Sequence, residues 1–133
     1  MIDPVVSGKS RYRAIVFDLD GTLIDSYDAI AASVNHVRAH WGLAPMPVDE
    51  VRRFVGRGAE LLLLDTVDRG TVAENVQLYK DHHATVMIPL TRVLPEVPET
   101  LEKLHACGIV LAVCSNKPVA FSRELLDYLD LSR

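Results

Sequence analysis

Asp18 and Asp20 stand two positions apart, after the apolar run Ala14-Ile15-Val16-Phe17 and directly before Gly21-Thr22-Leu23. The run has the composition of a buried strand over residues 14–19. On an extended chain, side chains at i and i+2 point the same way, their bases roughly 7 Å apart at about 3.3 Å per residue. Gly21 and Thr22 break the strand. Two acids are thereby aimed at one spot at the carboxyl end of a strand, where open α/β sheets bind their ligands. Such a pair can share one Mg²⁺, which favours one or two carboxylates alongside phosphate oxygens and retained waters. Asp18 is then a candidate nucleophile that forms an aspartyl phosphate. Asp20 is the candidate acid for the leaving oxygen and the base for the water that releases phosphate. An isolated Asp-x-Asp is commonly a solvated turn; the buried run before this one and the Gly-Thr-Leu after it favour a site.

A second apolar run, Ile109 to Cys114, ends in Ser115-Asn116-Lys117, and Pro118 then opens a helix. Continuous apolarity suits a parallel strand covered on both faces. Ser115 and Asn116 supply a hydroxyl, an amide and backbone N–H groups at a helix N-terminus, a phosphate-binding arrangement. The competing reading is a plain helix cap; a neighbouring Asp18 favours phosphate. Lys117 is placed to touch substrate or a lid.

The elements between these strands read as helical. Ser26 is an N-cap candidate for a helix to about His40, with Ile30, Val34 and Val37 on one face. Pro45-Met46-Pro47 ends that stretch, and a short helix spans Asp49 to Phe54. Gly56-Arg57-Gly58 interrupts it before the leucines at 61–64, four in a row and so expected to be buried on more than one face. Thr71 caps a helix to about Met87. His82 and His83 are adjacent, diverge by about 100° on a helix, and are expected on a solvated face. Pro98, Glu99 and Gly108 frame a helix before the second strand. Cys114 is expected to pack in the core. Glycines at 56 and 58 permit close approach to a ligand, and Arg57 is suited to an anionic one.

Composition narrows the class. The chain has 133 residues, 49% hydrophobic, with a net charge of −4. That suits one compact domain or a small domain with an insertion, and gives no electrostatic case for nucleic acid or an acidic membrane surface. No apolar segment is long enough to span a bilayer, and residues 1–13 lack the apolar core of a secretory signal. Ser7-Gly8-Lys9-Ser10 ends like a phosphate-binding loop but lacks the earlier glycine and the preceding strand. Cys107 and Cys114 match no zinc spacing. The expectation is a protein of a reducing cytoplasm with two free thiols, acting on a small phosphorylated metabolite.

Asp18-Leu19-Asp20-Gly21-Thr22-Leu23 with Asp25-Ser26, and Ser115-Asn116-Lys117, resemble the first and second motifs of the haloacid dehalogenase-like (HAD) phosphohydrolases. The resemblance implies an α/β fold: a Rossmann-like core with a partial parallel sheet and an inserted α-helical cap. Residues 1–13 are then a mobile lead-in, 14–24 and 92–133 the core, and 25–91 the cap. It implies Asp18 as nucleophile and Asp20 as acid/base. Mg²⁺ would be bound by Asp18 and the Asp20 carbonyl, and the phosphoryl group by Ser115 and Asn116. Val55-Gly56-Arg57-Gly58-Ala59 is similar to the cap element of the phosphoglycolate phosphatase branch, which reaches over the active site and helps select substrate. A β-phosphoglucomutase-type phosphomutase has a similar first motif. A phosphoacceptor switch and a non-catalytic interaction protein derived from the family are readings of other classes. The family's third and fourth motifs, a lysine and an acidic pair, have no candidate after Lys117. The chain is therefore expected to be the N-terminal portion of a phosphatase, inactive or poor alone. Glu96 stands where the branch usually has glycine.

Overall fold

The computed structural model describes residues 11–132. The expected lead-in over 1–10 and its Ser7–Ser10 fragment lie outside the described residues, as does Arg133. The order of elements is β1 (Ala14–Phe17), β2 (Ile24–Asp25), α1 (Tyr27–His40), α2 (Val48–Arg52), α3 (Ala59–Thr66), α4 (Val72–Val86), β3 (Arg92–Val93), α5 (Val97–Ala106), β4 (Val110–Val113) and α6 (Val119–Tyr128). The fold is mixed α/β.

β1 and β4 pair in parallel, Ala14 opposite Val110 and Phe17 opposite Val113. Because the register is flush, both strands end at the same level, and the Cys114 N–H donates to the Phe17 carbonyl at 2.8 Å. The residues that follow, Asp18 and Ser115, emerge side by side. A second ladder pairs β2 with β3 antiparallel, Asp25 opposite Arg92.

Two apolar clusters form. One joins α1 to the short helices through Ile30, Val34, Val37, Val51, Leu62, Leu63 and Tyr79. The other holds Leu19, Leu23, Ile24, Met87 and Leu125 against the β1–β4 sheet and α6. The Thr71 cap forms as the sequence suggests. Thr71 Oγ1 accepts from the Glu74 N–H, and the Glu74 carboxylate accepts from the Thr71 N–H at 3.0 Å, a reciprocal capping box.

Three burial expectations are corrected. The sheet is covered on one face only among the described residues: Val16 and Val110 are each 64% exposed, where a strand covered on both faces was expected. The alternation along β4 carries its even positions outward, and Cys114 follows them to an exposed position rather than into the core. In α3, Leu62 and Leu63 are buried while Leu61 and Leu64 are exposed. The helix rests on one side of the bundle, so a run of leucines cannot all face inward.

Glu96 holds the conformation that glycine would favour. It adopts a left-handed backbone with φ 65°, immediately before α5, and its side chain makes no capping bond there. A side chain in that region is strained by roughly 1–2 kcal/mol. Glu96→Gly relieves the strain and gives part of it back as unfolded-chain freedom. The expected result is a gain of about 0.5–1 kcal/mol, seen as a higher urea midpoint at unchanged slope.

Candidate active site

The site is built by a tight turn. β1 ends at Phe17, so Asp18 and Asp20 stand in the turn beyond the strand, not on an extended segment through residue 19. Leu19 is fully buried, and its carbonyl accepts from the N–H groups of Thr22, Leu23 and Ile24 at 3.0 to 3.3 Å. The turn closes when the Gly21 N–H donates to the Ile24 carbonyl at 2.8 Å. Gly21 has φ +78°, and a Cβ there would collide with the Tyr27 hydroxyl, so both space and backbone require glycine. The turn brings Asp18 and Asp20 to the wall of one cleft.

Asp18 is exposed, and its Oδ1 accepts from the Leu19 N–H at 2.8 Å. Asp20 is held more firmly. Its Oδ1 accepts from the Ser26 hydroxyl at 2.5 Å and from the Lys117 ammonium at 3.3 Å. Ser26 is in the N-cap position of α1 as expected, yet its side chain caps nothing and turns to Asp20 instead. The Asp20–Lys117 pair is shielded, with side-chain exposures of 14% and 4%. Removing either partner would therefore strand a poorly solvated charge. Lys117 thus reaches the acid/base candidate.

Ser115 and Asn116 lie where β4 gives way to α6. The Ser115 hydroxyl accepts from the Lys117 N–H at 3.1 Å, bonding across the turn before α6. The Asn116 amide donates to the Gly56 carbonyl at 2.8 Å, which ties the second motif to the Gly56–Gly58 turn. Gly58, with φ +90°, lies against the Asn116 backbone carbonyl, 3.7 Å from where a Cβ would stand. Gly56 and Gly58 line the cleft. Arg57 is outside that lining: it pairs with Asp65 at 2.6 Å, and its side chain is 61% exposed. An ion pair to a residue eight positions along the chain, in the last turn of α3, turns it from the cleft where an anion-binding role had been expected.

The expectation of two solvated histidines is overturned at His83, which is 1% exposed. Asn75, Tyr79 and His83 recur every four residues and form the buried stripe of α4. That spacing is the signal in the sequence that could have found them. His83 is stacked on Tyr79, ring centroids 5.1 Å apart and 13° between planes, and is met by Phe121 of α6 at 5.4 Å. Tyr79, His83 and Phe121 all line the cleft. The two histidines diverge along the helix, yet each Nδ1 lies 3.1 Å from the Ser33 hydroxyl.

Burial dominates the electrostatics of this wall. It lowers His83 to about 4, with the Lys117 charge adding to the fall and Asp20 opposing it. The Tyr79 hydroxyl is raised well above its ordinary value by burial and then by the Asp20 charge. His82 is lowered by burial and by His36, with which it stacks at 4.3 Å.

The oxygen donors fit a hard divalent ion. Asp18 and Asp20 flank one cleft, and Mg²⁺ asks for one or two carboxylates, completing its shell with water and phosphate oxygens. No group of three or more His, Cys, Asp or Glu able to hold a metal occurs among the described residues. The cleft itself encloses about 50 Å³, room for a small anion beside the carboxylates. No helix among the described residues is long and apolar enough to cross a membrane.

Known proteins place this geometry. The chain is 38% identical over 120 residues to a phosphoglycolate phosphatase of Aquifex aeolicus, covering 90% of this chain and 56% of the relative. It is 36% identical over 129 residues to a phosphoglycolate phosphatase of Pseudomonas fluorescens, covering 91% and 47%. The chain thus spans about half the length of the curated relatives it matches. Among solved structures, a predicted phosphoglycolate phosphatase from Haemophilus somnus superposes with a TM-score of 0.81 at 29% identity, over 93% of this chain and 60% of that one. A predicted phosphatase from Clostridium acetobutylicum gives 0.85 at 26%, over 92% and 58%. The family model for haloacid dehalogenase-like hydrolases matches residues 15–133, from β1 through both motifs. The chain belongs to the haloacid dehalogenase-like hydrolase family.

Proposed function

We propose that this chain carries the nucleophile and the acid/base of a Mg²⁺-dependent phosphatase for a small phosphate monoester, 2-phosphoglycolate being the first to test. The observation that carries this reading is the flush end of the β1–β4 pair, which sets Asp18 and Asp20 beside Ser115, Asn116 and Lys117 around one cleft. The relatives' names supply the substrate class. In this reading residues 25–91 are a cap over a core of 14–24 and 92–133. Two free, exposed cysteines fit a reducing cytoplasm.

The residues divide the work as follows. Ser115 and the N–H groups before α6 receive the phosphoryl oxygens. Asp18 attacks phosphorus, and its carboxylate becomes an acyl phosphate. Asp20, oriented by Ser26, protonates the departing oxygen and then takes a proton from the incoming water. Lys117 holds positive charge beside Asp20 throughout. Asp18 and Asp20 would hold Mg²⁺, which when bound neutralises charge on the transferring group. Gly56 and Gly58 bring backbone close to the substrate. Arg57 completes the cap turn through Asp65.

The test is single-turnover labelling joined to a steady-state assay. The protein is mixed with Mg²⁺ and 2-phosphoglycolate labelled in its phosphate, quenched in acid, and the acyl phosphate mapped by peptide mass. Label on the peptide bearing Asp18, with phosphate release that requires Mg²⁺, is the expected result. Release without label at Asp18 removes the covalent mechanism. Label at Asp18 without turnover fits a portion that is inactive or poor alone; neither label nor release, across a panel of small phosphate esters and with the chain extended to its relatives' length, removes the function.

A further inference from the structure

His83 presents a group that neither the first motif nor the second uses. Its Nε2 is buried and has no hydrogen-bond partner among the described residues, and the residue lines the same cleft as Asp18 and Asp20. A buried polar atom left unpaired costs free energy, so a persistent one at a cleft wall is suited to a ligand.

The hydrogen bonds behind the ring are the basis on which its tautomer is assigned. The Ser33 hydroxyl donates its one proton to the Ala29 carbonyl at 3.0 Å. Its oxygen then accepts from His83 Nδ1 and from His82 Nδ1, each at 3.1 Å. One donation and two acceptances use the full capacity of a hydroxyl. His83 therefore carries its proton on Nδ1 and shows a bare lone pair at Nε2. Tyr79 stacks on the ring, and Phe121 packs against it from α6, so its direction is fixed from both the helical bundle and the sheet side. Burial keeps the ring neutral near pH 7.

We infer that His83 Nε2 is a specificity-determining acceptor that takes a hydrogen bond from a hydroxyl on the organic part of the bound phosphate ester. The phosphoryl group belongs at Asp18 and Ser115 on the core side of the cleft, which leaves the organic part to face α4. Ile30 and Leu62 supply apolar surface beside it, the Tyr79 ring is stacked on His83, and Nε2 is the buried polar atom there that lacks a partner among the described residues. An ester with a hydroxyl gains a contact that an otherwise equal ester lacks; 2-phosphoglycolate, which bears a carboxylate and no hydroxyl, makes no bond to Nε2, so a hydroxylated ester is expected to exceed it at this point of the wall. This inference rests on the phosphatase reading for the placement of the phosphoryl group.

The test compares two probes of equal charge and chain length, sn-glycerol 3-phosphate and n-propyl phosphate. Their binding is measured by calorimetry in an Asp18→Asn background, where the ester is not consumed. One neutral hydrogen bond is worth about 1 kcal/mol, so glycerol phosphate should bind about 5- to 10-fold tighter. His83→Gln, which keeps an acceptor, should preserve most of that preference, and His83→Leu should bring the ratio to one. Should the leucine variant not fold, the ¹⁵N signal of His83 Nε2 serves instead, moving upfield with glycerol phosphate and not with propyl phosphate. A ratio near one in the presence of His83, as when Nε2 merely holds an ordered water, overturns the inference. So does a preference that survives His83→Leu, or failure of both esters to bind. A His83-dependent preference in a protein that never labels Asp18 supports the site and removes the phosphatase reading alone.

Discussion

Asp18→Asn is expected to abolish the acyl phosphate and to lower turnover by at least about 10⁴-fold, because an amide oxygen cannot replace the attacking carboxylate. The amide is isosteric, and Asp18 is exposed with one local bond from the Leu19 N–H. Thermal stability should therefore change little, and the loss is read as chemistry rather than unfolding. Asp20→Asn behaves differently. It should lower the rate by about 10²- to 10⁴-fold, the range for a positioned acid or base, and leave the label at Asp18 longer-lived because the water loses its base. It also leaves Lys117, whose side chain is 4% exposed, beside a neutral partner. A melting temperature measured alongside separates that cost from the catalytic one. Retention of more than about one per cent of turnover in Asp18→Asn would end the nucleophile assignment. An Asp20→Asn protein whose label decays at the unmodified rate would end the base assignment.

Acidification should destabilise the fold through His83. In the unfolded chain this imidazole ionises near 6.5; in the folded protein it is held at about 4 by burial and by the Lys117 ammonium. Between those values the unfolded state binds the proton and the folded state does not, so stability falls as pH falls. The contribution is present in full above 6.5 and is lost on the way down to 4. Between pH 7 and 5 the loss is about 2 kcal/mol, a large share of the 5–15 kcal/mol typical of a domain. His82, lowered for the same reason, adds in the same direction. Urea midpoints at pH 7, 6 and 5 read the effect, and His83→Gln, which cannot ionise, should flatten the dependence. Equal stability at pH 7 and 5, or an unchanged slope in the glutamine variant, would show that the ring is not buried neutral.

How much of this was legible beforehand differs from residue to residue. The break at Gly21 and Thr22 depends on near neighbours and was legible, while the turn begins earlier than read, at Asp18, because Leu19 leaves the strand to become the buried acceptor that closes it. The Ser115–Lys117 segment was expected near Asp18 because parallel strands point their carboxyl ends to the same edge, and the flush register puts the two segments at one level. The Thr71–Glu74 cap was legible for the same local reason. His83 was not, since its burial depends on α4 lying along α1 so that Ser33 meets both histidines across 50 positions. Arg57 was misplaced because its partner, Asp65, becomes near only once α3 forms. The pair β2 and β3, two residues each, is too short for any periodicity to announce it. The exposed face of β4 could not be foreseen from its apolar sequence, because composition reports what a strand could bury and not what is there to bury it.

The β2–β3 ladder has a topological consequence. Asp25 and Arg92 are paired across it, so the chain enters and leaves residues 26–91 at two points that are strand neighbours, about 5 Å apart. A segment spliced in at adjacent points forms a loop held shut at its base, and the entropy of that closure grows only with the logarithm of its length. The helices between can lengthen, shorten or be exchanged while the ends stay fixed. The turn bearing Asp18 and Asp20 is therefore insulated from the size of what is grafted beside it.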